Sequence, residues 1–197
     1  SVAILVQYKD FDYITAGDLG GGSWSVDNNC TGRTTGQANI ETPLATSLMP
    51  GGGAALLTAD GVEVLDVNHH GSESSTNHEW MNLLTPAVAL INTGSGQGGT
   101  FHHPRQDVVD NVLLAQASCV TASPALVLQT EEGDPTGANT SFSGYCAGDI
   151  TVKTTGLSTY TVDATGAVSQ GPDERVAAGL PAVLPMDGAT GDLEPPL

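Results

Sequence analysis

Residues 62–76 read VEVLDVNHHGSESST, and no other stretch constrains the chain as much. Val62, Val64, Leu65 and Val67 predict a short β-strand, which a Gly-broken polar run ends in a loop carrying two imidazoles. A rigid strand that stops at ligand-type side chains is a common way for an α/β fold to hold a reactive group beside an open crevice. His69 and His70 are neighbours, so on extended backbone they point to opposite sides. One is then expected to be a primary ligand, and the other a supporting or substrate-facing group. The alternative is a loop with two solvated histidines.

The chain has 197 residues, enough for one domain with a core. Its 5 basic and 22 acidic residues give a net charge of −17 with His neutral. That balance argues against a broad nucleic-acid footprint, because phosphate binding draws on Lys and Arg. It argues equally against an anionic membrane surface. A local cationic site such as a metal ion still permits a phosphoester ligand. No apolar run is long enough to span a bilayer, so no membrane partner is expected. Few lysines, much Thr, Ser and Gly, and strong acidity suit a secreted protein, extracellular or periplasmic, or a halotolerant one. Cys30, Cys119 and Cys146 form no CxxC pair, which speaks against a zinc knuckle. In an oxidising compartment Cys119 is expected to pair with Cys146, contributing about 3–4 kcal/mol in the chain-entropy model. Cys30 is then left to bond outside the chain. The alternative is three reduced thiols.

Apolar runs at residues 1–8 and 11–15, with Lys9-Asp10 between them, predict a β-hairpin. Its first strand begins at residue 1, which leads to the expectation that part of the fold lies upstream. Asp18 follows the second strand among glycines and is either a metal ligand or a turn-forming residue. A helix is predicted over 39–49, with Asn39 as cap and Pro43 in the first turn, and a short helical piece over 54–60. Residues 77–84 predict a helix capped by Asn77, with Trp80, Leu83 and Leu84 inward and His78 on the surface. The continuous apolar run 86–92 predicts a strand buried on both faces. A Gly loop then leads to Phe101-His-His-Pro104, followed by an amphipathic helix of about three turns over 105–117. Strands are predicted over 125–129, 150–154 and 158–162. One domain is expected over 1–165, with insertions at 23–38 and 134–148, and an extended acidic, Pro-containing tail over 166–197.

The order of these elements carries a resemblance. Thr15-Ala-Gly-Asp18, His69-His-Gly-Ser72 and His102-His-Pro104, each at a strand or loop end, resemble the "TGD", "HHGS" and "GHP" strings of metallo-β-lactamase-fold hydrolases. The similarity is to the branch typified by the C-terminal domain of the DNA-uptake competence protein. It covers about Ser1 to Thr154. The resemblance implies the C-terminal half of an αββα sandwich, α/β in class, with a mixed sheet and flanking helices. It also implies two divalent metal ions, zinc or alternatively manganese. Asp18 would be the bridging carboxylate, and His69 or His70 a terminal ligand. His103, with His70, would serve the reaction, His103 at the mouth where a leaving group or oxyanion is steadied. His102 stands where the family has glycine. Two ions held close together need a shared carboxylate to offset their repulsion and neutral imidazoles to fill their remaining positions.

The family's HxHxDH string belongs to the first half of the fold and is absent from this chain. The ligand set here is therefore incomplete, and the expected partner is the N-terminal half of the same fold, upstream or as a separate chain. The function implied is that of a secreted metal-dependent hydrolase, phosphodiesterase- or nuclease-like, acting through metal-bound hydroxide on a small phosphoester or a nucleic acid. Ester, lactone and lactam hydrolysis use the same metal core. The alternative is a non-catalytic secreted binding or assembly module on a degenerate fold, part of a larger assembly.

Overall fold

Alternation along Phe11–Thr15 sets the layering of the molecule. Phe11 and Tyr13 face one apolar cluster while Ile14 faces another, so this strand divides two cores. In a computed structural model, residues 1–22, 37–94, 102–133, 142, 144–166 and 180–186 are described. β1 (Ile4–Tyr8) and β2 (Phe11–Thr15) form the expected hairpin, with Lys9 at a φ of 56° in its turn. β3 (Val64–Asp66), β4 (Val88–Ile91) and β5 (Leu126–Gln129) follow as parallel strands. The sheet order is β1-β2-β3-β4-β5, antiparallel only at the β1–β2 pair. A second, antiparallel sheet joins β6 (Ile150–Thr154), β7 (Thr159–Ala164) and β8 (Ala182–Pro185). The class is α/β with a mixed sheet, as the sequence led one to expect.

Each parallel strand repeats the same division. Leu65, Ala89 and Val127 face the cluster that holds Trp80, Met81 and Leu84 of the second helix. Val64, Val88 and Leu128 face the second sheet, where Tyr160, Val162 and Met186 cover them. The Phe11 and Tyr160 rings meet edge to face at 5.4 Å. Fully burying a side chain such as Leu65 or Val88 contributes about 1.5–3 kcal/mol. Three layers result, with helices on one face of the mixed sheet and a small sheet on the other.

The helices carry the helix-side layer. α1 (Glu41–Leu48) buries Glu41, Ala45 and Leu48, a stripe at i, i+4 and i+7. Asn39 satisfies its first turn, accepting from the Thr42 N–H at 3.1 Å. α2 (His78–Leu84) is capped as expected, the Asn77 side chain accepting from the Trp80 N–H at 2.7 Å. Gly61, at a φ of 89°, lies so close to α2 that a Cβ there would collide with the Leu84 carbonyl.

Several expectations are corrected. Residues 54–60 form turns rather than a helix, their glycine-led start held by Ala54 and Ala55 N–H bonds to the Ser47 carbonyl. The helix after Arg105 is a π-helix, Val108–Leu113, wider than the α-helix its spacing suggests. Its Leu114 N–H reaches back five residues to the Val109 carbonyl. Part of the expected tail, Ala182–Pro185, is a strand because β7 offers it an edge to pair with. The Cys119–Cys146 bridge is not formed. Cys146 keeps its thiol and is wholly buried in the core, behaving as a small apolar side chain. Cys119 is disulfide-bonded, and Cys30 lies outside the described residues. Most of the 23–38 and 134–148 insertions and of the 166–197 tail also fall outside.

Candidate functional site

Parallel strands emerge at one edge of the sheet, and their exits carry most of the residues singled out above. β2 leaves through Ala16 and Gly17 to Asp18, which is exposed. β3 leaves through Asp66 and Val67 into the turn Asn68–Gly71. The His69 N–H donates to the Gly17 carbonyl at 2.8 Å, which ties the histidine turn to the residue beside Asp18. The Arg105 N–H donates to the Gly71 carbonyl at 2.9 Å, bringing in the segment that holds His103. Gly71 packs against Pro104, since a Cβ there would lie 2.7 Å from the proline ring. The His69 and His103 rings then stand 5.3 Å apart.

The backbone of this turn is not extended, which corrects the expectation that the two histidines face opposite sides. His69 (φ 52°, ψ 39°) and His70 (φ 55°, ψ 27°) are both left-handed, followed by Gly71 at a φ of 77°. For residues with a Cβ this conformation costs about 1–2 kcal/mol each. Strain of this kind persists only where the surroundings over-determine it, and it gathers at functional sites.

Polar contacts brace the open side of the turn. The His70 Nδ1–H donates to the Asn92 carbonyl at 2.5 Å, leaving Nε2 as its outward nitrogen. Asn92 Nδ2 donates to Asp66 Oδ1 at 2.6 Å, and the Thr15 hydroxyl to Asp66 Oδ2 at 2.8 Å. Burial pushes the Asp66 carboxyl up, while the Thr15 and Asn92 hydrogen bonds and the nearby His70 pull it down. Burial pushes His103 down to about 4, helped by His69, His70 and Arg105, so at pH 7 its ring is neutral. Arg105 Nε lies 3.4 Å from Glu73 Oε2, both at the surface.

The opposite, buried side is braced by one carboxylate. Glu41 is fully buried, and its Oε1 accepts from Asn68 Nδ2 and from the Thr76 N–H, each at 2.6 Å. Oε2 accepts from the Asn77 N–H at 2.7 Å. Burial pushes this carboxyl up to about 7 despite those three hydrogen bonds.

The structure thus brings His69, His70 and His103 to one rim, with Asp18 one residue from a direct backbone link to His69. His102 is half-buried beside His103, and His78 sits apart as the first residue of α2. Sequence reasoning missed Asp66, Asn92 and Glu41. Glu41 could have been found as the acid on an i, i+4, i+7 stripe otherwise made of Ala45 and Leu48. These residues do not by themselves fit the two metal ions the resemblance implies. Among the described residues no group of three or more His, Cys, Asp or Glu is arranged to hold a metal. Nor, among them, is any helix long and apolar enough to cross a membrane.

No family model matches the chain, and no solved structure is significantly similar to it. One similarity to a curated protein was found, to ComE operon protein 3 of Bacillus subtilis (strain 168), at 43% identity over 47 residues. The matched stretch is 24% of this chain and 6% of that protein, so the likeness is local.

Proposed function

We propose that this chain is the C-terminal part of a secreted metal-dependent hydrolase of metallo-β-lactamase fold, phosphodiesterase- or nuclease-like in its reaction. One observation carries the proposal: the His69 N–H to Gly17 carbonyl bond ties the His69 backbone to the residue beside the exposed Asp18, and the His69 and His103 rings stand 5.3 Å apart. The local likeness to ComE operon protein 3 supports a relationship over part of the chain. Asp18 and His69 would be this chain's share of the ligands, and the rest would come from the N-terminal half of the fold. Those ions, zinc or manganese, would supply the activated water. This chain's own residues orient and exclude. His103 offers a neutral ring in a dry position, able to donate a hydrogen bond to a developing charge or a departing group. His70 presents Nε2 outward, its ring orientation fixed by Asn92 and Asp66.

A second reading, an assembly module without catalysis, is favoured by a different feature. Val2 is 76% exposed just before the edge strand β1, and Ile4, Val6 and Tyr8, 52%, 47% and 51% exposed, alternate along it, leaving an apolar stripe open. Both readings call for another polypeptide segment, so the test separates them by chemistry. Zn2+ or Mn2+ binding and hydrolysis of bis(p-nitrophenyl) phosphate are measured for this chain alone and for the longer polypeptide bearing the upstream segment. The hydrolase reading expects metal and turnover only in the longer form, both lost in Asp18→Ala. Turnover that survives Asp18→Ala refutes the role given to Asp18, and a longer form that binds no metal leaves the assembly reading.

A further inference from the structure

The 68–77 loop places its histidines only because something holds both of its ends, and one side chain does so from inside the core. Asn68 begins the loop and Thr76 and Asn77 close it, and all three donate to Glu41, which lies 27, 35 and 36 residues away in sequence. The exit of β2 is gathered at the same point. The N–H groups of Ile40 and Glu41 both donate to the Gly20 carbonyl, at 2.8 and 3.2 Å. Gly21 packs so tightly that a Cβ there would lie 2.7 Å from Glu41 Oε2. The Asn77 side chain donates in turn to the Gly21 carbonyl at 3.2 Å. An apolar residue would satisfy the α1 stripe that Glu41 shares with Ala45 and Leu48. A carboxylate there is unfavourable for packing alone, and among the described residues the hydrogen bonds it accepts come from the two ends of the histidine loop.

We propose that Glu41 is a positioning residue, a buried clamp that fixes the left-handed turn at His69 and His70 and registers it against the Asp18 segment. The proposal rests on the hydrolase reading for the use of that geometry and not for the geometry itself. The left-handed pair has a constraint on the open side too, where the Asn92 carbonyl accepts from His70 Nδ1 and Asp66 holds the Asn92 side chain. His69, the ring that faces His103, is held by its N–H bond to Gly17, by a 3.4 Å contact between its Nδ1 and the Ser74 hydroxyl within the same loop, and by the clamp behind Asn68.

Solution NMR of the full 197-residue chain tests this, comparing wild type with Glu41→Gln, which keeps shape and one acceptor oxygen but turns an NH2 toward a donor. Wild type should show a ring-to-ring NOE between His69 and His103 and left-handed carbon shifts at His69 and His70. In Glu41→Gln the NOE should be lost, those shifts should move toward averaged values, and Thr76 and Asn77 amide exchange should accelerate about tenfold. Amides of β4 and β5 should stay protected, which separates loss of the clamp from loss of the fold. An unchanged NOE, unchanged shifts and unchanged exchange overturn the proposal. If Glu41→Gln does not fold, wild type decides through scalar couplings across the Thr76 and Asn77 hydrogen bonds to the Glu41 carboxyl carbon, whose absence also overturns it. These readouts need neither metal nor substrate. A loop that loosens while the longer polypeptide never hydrolyses a phosphodiester leaves the clamp and removes the hydrolase, and an unchanged loop while that longer polypeptide is active does the reverse.

Discussion

Glu41 and Asp66 brace the same histidine loop from opposite sides and under different physical conditions. Glu41 is fully buried and accepts three hydrogen bonds, two of them from backbone N–H groups. Asp66 is half-buried, accepts from two side chains at the rim, and feels the charge state of His70. A buried carboxylate surrounded by donors belongs to the scaffold, because losing it strands groups that water cannot reach. A rim carboxylate can exchange partners with solvent, so it is suited to tuning a ring that meets a ligand. The loop between them is thus rigid on one side and adjustable on the other.

The largest effect should come from breaking the buried side. Glu41→Ala leaves three donors without an acceptor, and at about 1–3 kcal/mol each the loss should reach at least about 3 kcal/mol. Asp66→Asn keeps an acceptor for Asn92 at the rim and should cost about 1 kcal/mol or less. Urea denaturation of both variants measures the contrast. Equal losses would mean that the two carboxylates play the same part after all.

Much of this arrangement was legible in the sequence, and the limits have physical causes. The hairpin, the buried strand at 88–91 and the Asn77-capped helix came from periodicity and capping, which are local signals. The clustering of His69, His70 and His103 was legible because each sits just past a strand or a glycine loop, where the chain must turn at one sheet edge. Glu41 was not legible as a site residue, because its partners are 27 to 36 residues away and nothing local marks them. The left-handed turn was hidden for a related reason: only Gly71 in it is a residue that favours positive φ. β8 lies in a stretch whose prolines argue against a strand, yet an edge strand tolerates them and β7 supplies the pairing. The π-helix needs the helical spacing to slip by one residue, which an apolar pattern does not distinguish.

The two sides also predict opposite pH dependences that overlap. Glu41 has its folded pKa raised from 4.5 to about 7, so its contribution is fully present below pH 4.5 and is lost as pH rises through 7. His103 has its folded pKa lowered from 6.5 to about 4, so its contribution is present above pH 6.5 and is lost as pH falls through 4. Between pH 4.5 and 6.5 the slopes oppose each other, and wild-type stability should vary little. Glu41→Gln should expose the His103 slope, with stability rising over pH 4 to 6.5. His103→Gln should expose the Glu41 slope, with stability falling over pH 4.5 to 7. Urea midpoints collected across pH 4 to 8 decide it: a Glu41→Gln curve parallel to wild type would show that the buried carboxyl does not titrate in this window.

The smallest expected effect tests whether the open side stores strain for use. His70 sits at a φ of 55°, where glycine is at ease and a residue with a Cβ is not. His70→Gly removes about 1 kcal/mol or more of that conformational cost. Against this stand the greater entropy of glycine in the unfolded chain and loss of the exposed hydrogen bond to the Asn92 carbonyl. The net result should be stabilisation of a few tenths of a kcal/mol, up to about 1 kcal/mol, read as a higher urea midpoint. A rim that becomes more stable when its histidine is deleted holds that side chain against its own conformational preference, which is expected where the ring serves a ligand and not the fold. A lower midpoint would mean that the Asn92 and Asp66 contacts outweigh the strain, and that the rim, like the Glu41 side, is built for stability.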